Sequence, residues 1–252
     1  MTAQGGLRYV YAVCRPFAAA LQAQLTGVAG VPPGLLRHHG LVAVVSTVPE
    51  GDFAEEPLRD HLEDLDWLAA TARAHQGVVD ALTTVTTPLP LRPATVFRDD
   101  SGVRTMMEAR EADFLHTLDR LEGRVEWGVM LYADPPEQPP PPAAEEFARV
   151  LHERLSGRAE DSRLHPPQNA TLSGVSGQNL LNAAYLVSRA ASEEFVELVD
   201  RTKDEAPAMR VELTGPWAAY SFTELITEPV TGPSDSTPGT SPSSRRSASG
   251  AP

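Results

Sequence analysis

The chain has 252 residues, with 34 acidic side chains against 21 lysines and arginines, a formal charge of −13, and 41% hydrophobic residues. A chain of this length buries about 70–75% of its unfolded surface in a core of its own, and Cys14, the one cysteine, excludes an internal disulfide. The acidic balance, without a cluster of lysines and arginines, excludes binding to nucleic acid by counterion release. No apolar run reaches the ~18–20 residues of a membrane-spanning helix. The opening residues lack the basic and apolar segments of a secretory signal, so a cytoplasmic protein is expected.

Leu7 to Cys14, rich in aromatic and β-branched residues, reads as a first strand. Leu41 to Thr47 is nearly continuous in apolar residues, as a strand buried on both faces requires. Leu58, Leu62, Leu65, Leu68 and Ala72 then recur at helical spacing, continued by Val78, Val79 and Leu82. Glu50, Asp52, Glu55 and Glu56 precede them, where the helix dipole favours negative charge. A short β segment at Leu89-Pro-Leu91 follows, and then a helix from about Val103 to Leu121. From Arg124 to Tyr132 the chain alternates, with Val125, Trp127, Val129 and Leu131 on one face of a half-buried strand.

The second half reads as a helix from about Ala143 to Leu155 and a longer one from Gln178 to about Lys203. The longer one carries Leu180, Ala184, Val187, Ala191, Phe195 and Leu198 on one stripe. Strands at Met209–Leu213 and Tyr220–Leu225 close the pattern, hinged by Thr214-Gly-Pro-Trp. Strands mixed with crossover helices, twice over, define an α+β fold of two subdomains, at least one of them ferredoxin-like. The expected division is 1–122 for an N-terminal α+β domain and 123–228 for a C-terminal ferredoxin-like one. The second carries a Pro-rich extended loop at 134–142. Residues 229–252, almost wholly Pro, Ser, Thr and Gly, have too little apolar surface to offset their ordering entropy and are expected to be a disordered tail.

The residues that could carry chemistry do not form a reactive set. Ser173-Gly-Val-Ser-Gly-Gln-Asn179 has glycines before a helix-like segment, but Gln178 stands where a phosphate-binding loop needs lysine. It also fails the Gly-x-Ser-x-Gly pattern of a nucleophile elbow. If the helix is unbroken, His61 and His75 lie about 20 Å apart at 1.5 Å rise per residue, too far to share a metal. His38 and His39 are neighbours in a turn, where side chains point apart. His152 and His165 lack carboxylate or thiol partners at ligand spacing. Asp64 and Asp66, two apart on a helix, do not converge. No metal site and no converging carboxylate pair is therefore expected. Trp217, Tyr220 and Phe222 gather aromatics beside a Gly-Pro turn. They are the candidate partner-binding residues, because aromatics on a rigid turn make good interface anchors.

Six segments, in order, resemble the gas vesicle F/L family over about residues 8 to 223. They are Tyr9-Val-Tyr-Ala-Val13, Leu41 to Ser46, Trp67 with His75 and Pro88 to Phe97, Glu126-Trp-Gly-Val129, Asn182-Ala-Ala-Tyr-Leu-Val187 and Gly215-Pro-Trp-Ala-Ala-Tyr-Ser-Phe222. Pro93-Ala94 and Ala218-Ala219 depart from the family's usual Phe-Gly and Pro-Pro. The resemblance implies two α+β domains, no cofactor and no catalysis. It also implies a minor gas vesicle component that binds the small hydrophobic shell protein and other accessory proteins during assembly, acting in the cytoplasm and on the vesicle. The other expectation open at this point is a small-ligand-binding regulator or enzyme on ferredoxin-like domains, using the Gly-rich loop near Ser173.

Overall fold

The computed structural model describes residues 6–18, 25–133, 142–167, 177–203, 205 and 209–223. The loop at 134–142, all but its last residue, the segment around Ser173 and the tail 229–252 lie outside the described residues. Two antiparallel sheets organise the chain.

The first sheet is built from β1 (Leu7–Cys14), β2 (Gly34–His38), β3 (Leu41–Val48), β4 (Leu89–Pro90) and β5 (Val96–Phe97), in the order β2-β3-β1 with β4 and β5 both on the outer side of β1. β3 is buried along almost its whole length, as its continuous apolar run requires. β1 pairs with β3 from Leu7↔Val48 to Cys14↔Val42, with a shift between Val10 and Ala12. That bulge puts Tyr11 and Ala12 on the same face, where strict alternation would separate them.

Helices cover both faces of this sheet. After α1 (Glu50–Phe53) and α2 (Glu55–His61), α3 (Leu65–Thr83) lays Val78, Val79 and Leu82 on the face that holds Tyr9, Tyr11, Val42 and Val44. The other face, with Val10, Val13, Ala43 and Val45, receives Val103 and Met107 of α4 (Asp100–Ala109) and Phe114 and Leu118 of α5 (Glu111–Leu121). Two of these helices begin where the sequence supplies an acceptor: Asp64 caps α3 through the amides of Asp66 and Trp67, and Asp99 caps α4 through Gly102.

The second sheet runs β6 (Arg124–Ala133), α6 (Pro142–Ser156), β7 (Asp161–Leu164), β8 (Gln178–Ser188), α7 (Ser192–Lys203), β9 (Met209–Trp217). Its spatial order, β7-β8-β6-β9, with every pairing antiparallel, is the ferredoxin-like arrangement of a βαββαβ unit. Val125, Trp127, Val129 and Leu131 share the face covered by Leu151 and Leu155 of α6 and Phe195 and Val199 of α7. The first sheet repeats the same spatial order of its first four strands.

Four expected elements differ, the first being the helix read from Leu58 through Leu82, which is broken at residues 62–64 between α2 and α3. The helix expected over Gln178–Lys203 is a strand, β8, followed by a 3-10 turn at Arg189–Ala191 and then α7. Leu181, Ala183, Tyr185 and Val187 alternate toward the α6–α7 side, while Ala184 and Leu186 face the opposite side. A strand buried on both faces fills helical spacings as readily as alternating ones, so the stripe through Leu180, Ala184 and Val187 did not distinguish the two. Ser188 ends the strand by accepting the Ala191 amide. The strand expected at Tyr220–Leu225 is a 3-10 turn at Tyr220–Phe222, with residues 224 and 225 outside the described residues, and Thr214-Gly-Pro-Trp belongs to β9. The helix expected over Val103–Leu121 is broken at Arg110, whose backbone leaves the helical region.

Candidate partner-binding site

The Gly215-Pro-Trp217 end of β9 is kinked where it pairs with β6. Glu126 is the register partner of Trp217, and Gly128 that of Thr214, with an irregularity between them. Gly215 takes a φ of +122°, the left-handed region that favours glycine, and a Cβ there would stand 2.8 Å from the Glu126 carbonyl. Gly128 is needed for the same close approach, since a Cβ would meet Thr214 Oγ1 at 2.6 Å.

From this turn the chain drops into the protein. Phe222 is only 3% exposed and packs with Leu121, Ala184, Leu186 and Ala219 on the second face of the ferredoxin-like sheet. Tyr220 is half-buried and packs against the cluster of Tyr9, Tyr11 and Val78 under the first sheet. Its hydroxyl is buried with no hydrogen-bond partner among the described residues, and burial pushes its pKa up. Trp217 stays 37% exposed. Of the three candidate residues, Trp217 alone offers a large surface to a partner, and the other two tie the turn to the body of the molecule.

A buried polar seam continues beneath the turn. The Tyr9 hydroxyl accepts from the Ala94 amide at 3.1 Å and meets Nδ1 of His75 at 2.9 Å. With the Tyr9 proton directed at Nδ1, the imidazole proton sits on Nε2. Burial lowers the His75 pKa to about 4, against the opposing Leu91 backbone, so the ring is neutral at physiological pH. Tyr11 donates to Ser46 Oγ at 2.9 Å and accepts from the Val28 amide at 2.8 Å. The ring of Tyr220 lies 6.2 Å from that of His75.

At the other end of the seam, the Glu126 carboxylate accepts the amide and the hydroxyl of Ser221, each at 2.8 Å. Burial raises its pKa, and these two hydrogen bonds oppose the shift. His165 Nε2 stands 3.0 Å from the same Ser221 hydroxyl. Because that hydroxyl's one proton goes to Glu126, His165 must donate rather than accept. A nucleophile needs the imidazole as its base, between hydroxyl and carboxylate. Here the hydroxyl stands between histidine and carboxylate, which is an anchoring arrangement.

The remaining expectations on reactive residues fall as follows. Cys14 is buried, and burial pushes its thiol up to about 12, far from the range of a reactive thiolate. His38 and His39, expected to point apart, have rings stacked at 4.1 Å, and His39 Nδ1 reaches Glu111 at 3.2 Å. Among the described residues there is no group of three or more metal-ligating side chains and no helix long and apolar enough to cross a membrane. A cleft of about 630 Å³ between the halves is lined by Arg15, Thr83, Thr87, Glu122 and Arg189. Its two arginines are already engaged, Arg15 with Asp119 and Arg189 with the Thr83 carbonyl.

Sequence reasoning placed Trp217, Tyr220 and Phe222 together but missed Glu126, Ser221 and His75 as their buried partners. Only a carboxylate inside an alternating apolar strand, and a histidine on the apolar face of a helix, hinted at them.

Two antiparallel sheets with the ferredoxin strand order, with Tyr220 packed under the first and Phe222 on the second and one exposed tryptophan at the end of β9, define an α+β protein of duplicated architecture. Its profile matches that of the family described as Gas vesicle synthesis protein GvpL/GvpF over residues 7–139 and 142–224, and the chain belongs to that family. It is 51% identical to Gas vesicle protein L of Streptomyces sp. (strain CB03234), with 89% of this chain and 95% of the relative covered. It is 25% identical to Gas vesicle protein F of the same organism, covering 86% and 99%. Crystal structures of GvpF from Anabaena sp. PCC7120 and Microcystis aeruginosa superpose with a TM-score of 0.68 each, at 16% and 17% identity. The first covers 86% of this chain and 96% of that one, the second 87% and 99%, and they establish the shared fold.

Proposed function

We propose that this chain is a non-enzymatic accessory protein of gas vesicle assembly, which binds the small hydrophobic shell protein and limits its aggregation during nucleation. The observation that carries this reading is family membership along the described chain, with 51% identity to a Gas vesicle protein L. A shell subunit must present an apolar, gas-facing surface and strand edges, both of which promote aggregation before assembly. An acidic binder that covers them and stays soluble through its charge of −13 suits that task.

Trp217, beside the Gly-Pro turn, is the proposed anchor, with Tyr220 and Phe222 holding it in place. Among the described residues the outer edges of β2, β7 and β9 have no partner strand in their sheets, and they suit strand addition. Leu164, at the end of β7, is 64% exposed beside one such edge. The reading includes a division into domains at 122/123, a tail at 229–252, and action in the cytoplasm and on the vesicle. Co-expression with the shell subunit followed by affinity purification tests it. The shell subunit is expected to co-purify with the wild-type chain and to be lost with Trp217→Ala at unchanged melting temperature. Absence of the shell subunit from the wild-type purification would sink the proposal.

A further inference from the structure

The turn between α2 and α3 exposes apolar surface that the fold leaves uncovered. Leu62 is 46% exposed and Leu65 is 73% exposed. α2 buries no residue completely. The corner is nevertheless built on a fixed base. His61 stacks flat on Trp67, with centroids 4.8 Å apart and planes 6° apart, and Trp67 in turn packs on the buried Phe53. Asp64 caps α3 directly between the two leucines. The leucines are therefore presented by rigid backbone rather than by a fraying end, and rigid presentation lowers the ordering cost of binding.

The charge around them is of one sign. Residues 55–66 carry six carboxylates, Glu55, Glu56, Asp60, Glu63, Asp64 and Asp66, against one arginine. That arginine, Arg59, is paired with Glu55. Exposed leucines beside carboxylates that outnumber the one arginine are a surface for which water is a poor partner at the centre and a cation a good one at the rim. A second copy of this acidic face is repelled, and an anionic lipid surface is repelled likewise.

We propose that the Leu62–Leu65 corner docks a cationic amphipathic helix of a partner protein, its apolar side chains against the two leucines and its lysines or arginines over the surrounding carboxylates. The charge steers encounter and the leucines set the residence time. The proposal stands or falls without the shell-protein reading, whose anchor is Trp217.

The test uses the full chain and a fluorescently labelled helical peptide of lysine and leucine in amphipathic order, followed by anisotropy. A second peptide has the same composition with its leucines scattered around the helix. The expected result is binding of the amphipathic peptide, weakened about tenfold or more by Leu62→Ser with Leu65→Ser, a loss typical of anchor residues. Asp60→Lys with Glu63→Lys, which leaves the leucines in place, is expected to weaken binding and flatten its salt dependence. The scattered peptide is expected to bind more weakly than the ordered one. Equal binding of the two peptides, unchanged affinity in the leucine variant, or no binding to the wild-type chain would overturn the proposal. Melting temperatures of both variants check that the fold is kept, and the charge variant decides the matter if the leucine variant unfolds.

Discussion

The buried carboxylate of Glu126 and residue Ser221, 95 positions apart in the chain, are joined by two hydrogen bonds of 2.8 Å, from the serine's amide and its hydroxyl. Glu126 lies on the central strand β6, and Ser221 lies in the 3-10 turn after β9. The pair fixes the aromatic segment after the Gly-Pro turn against the sheet. Glu126→Ala leaves both donors without an acceptor and is expected to cost about 1–3 kcal/mol. Urea denaturation measures this loss.

Glu126 also has a pH signature. Its folded pKa is raised by burial, so between the unfolded and folded values the native state holds the extra proton. Its contribution therefore favours the native state at acid pH and is lost as pH rises through the folded pKa. The stability difference between wild type and Glu126→Gln is expected to change across that window and to level off above it.

His75 titrates with the opposite sense. Its folded pKa of about 4 lies below the ordinary 6.5, so the unfolded chain takes up the proton first on acidification. The stabilisation is complete above about pH 6.5 and is lost as pH falls toward about 4, with a span of roughly 3 kcal/mol. His75→Phe is expected to flatten the stability profile in that window, at the cost of the Tyr9 hydrogen bond. Denaturation midpoints collected from pH 4 to 7 test this.

Two tyrosines of the same seam are expected to respond in opposite directions. Tyr220→Phe removes a buried hydroxyl that has no partner among the described residues and is expected to raise stability by about 1 kcal/mol. Tyr9→Phe removes the acceptor of the Ala94 amide and the partner of His75 and is expected to lower it by about 1–2 kcal/mol. Calorimetric melting of both variants distinguishes them.

Gly215→Ala places a Cβ 2.8 Å from the Glu126 carbonyl at a φ of +122°. The expected cost is about 1–3 kcal/mol, from a left-handed conformation and a clash with backbone that cannot step aside. Gly102→Ala, with the nearest atom of Phe97 at 3.4 Å, is the mild control. Thermal unfolding of the two variants side by side measures the difference.

Much of the fold was legible because burial writes a period. β3 announced itself by an unbroken apolar run, β6 by the alternation of Val125, Trp127, Val129 and Leu131, and α3 by Val78, Val79 and Leu82. β8 was not legible, because Ala183 to Val187 is buried on both faces and satisfies two periods at once. The short edge strands β2 and β7 carry only a few residues and little pattern. At the candidate site the aromatic cluster could be seen, but its division could not. Whether Trp217 faces solvent and Phe222 the core depends on the turn at Gly215 and the pull of Glu126 on Ser221, contacts remote in sequence. The resemblance to the gas vesicle F/L family drew on six segments. The structure pairs Tyr9 with His75, Tyr11 with Ser46 and Glu126 with Ser221, drawing on five of them, and the sixth, on β8, packs Ala184 and Leu186 against Phe222.

The central claim is that this protein shields the shell subunit from aggregation, and light scattering by the shell subunit diluted from denaturant tests it most directly. With the wild-type chain present in equal amount, the onset of scattering is expected to be delayed, and Trp217→Ala at unchanged melting temperature is expected to shorten that delay. An onset that is the same with and without the wild-type chain would contradict the account.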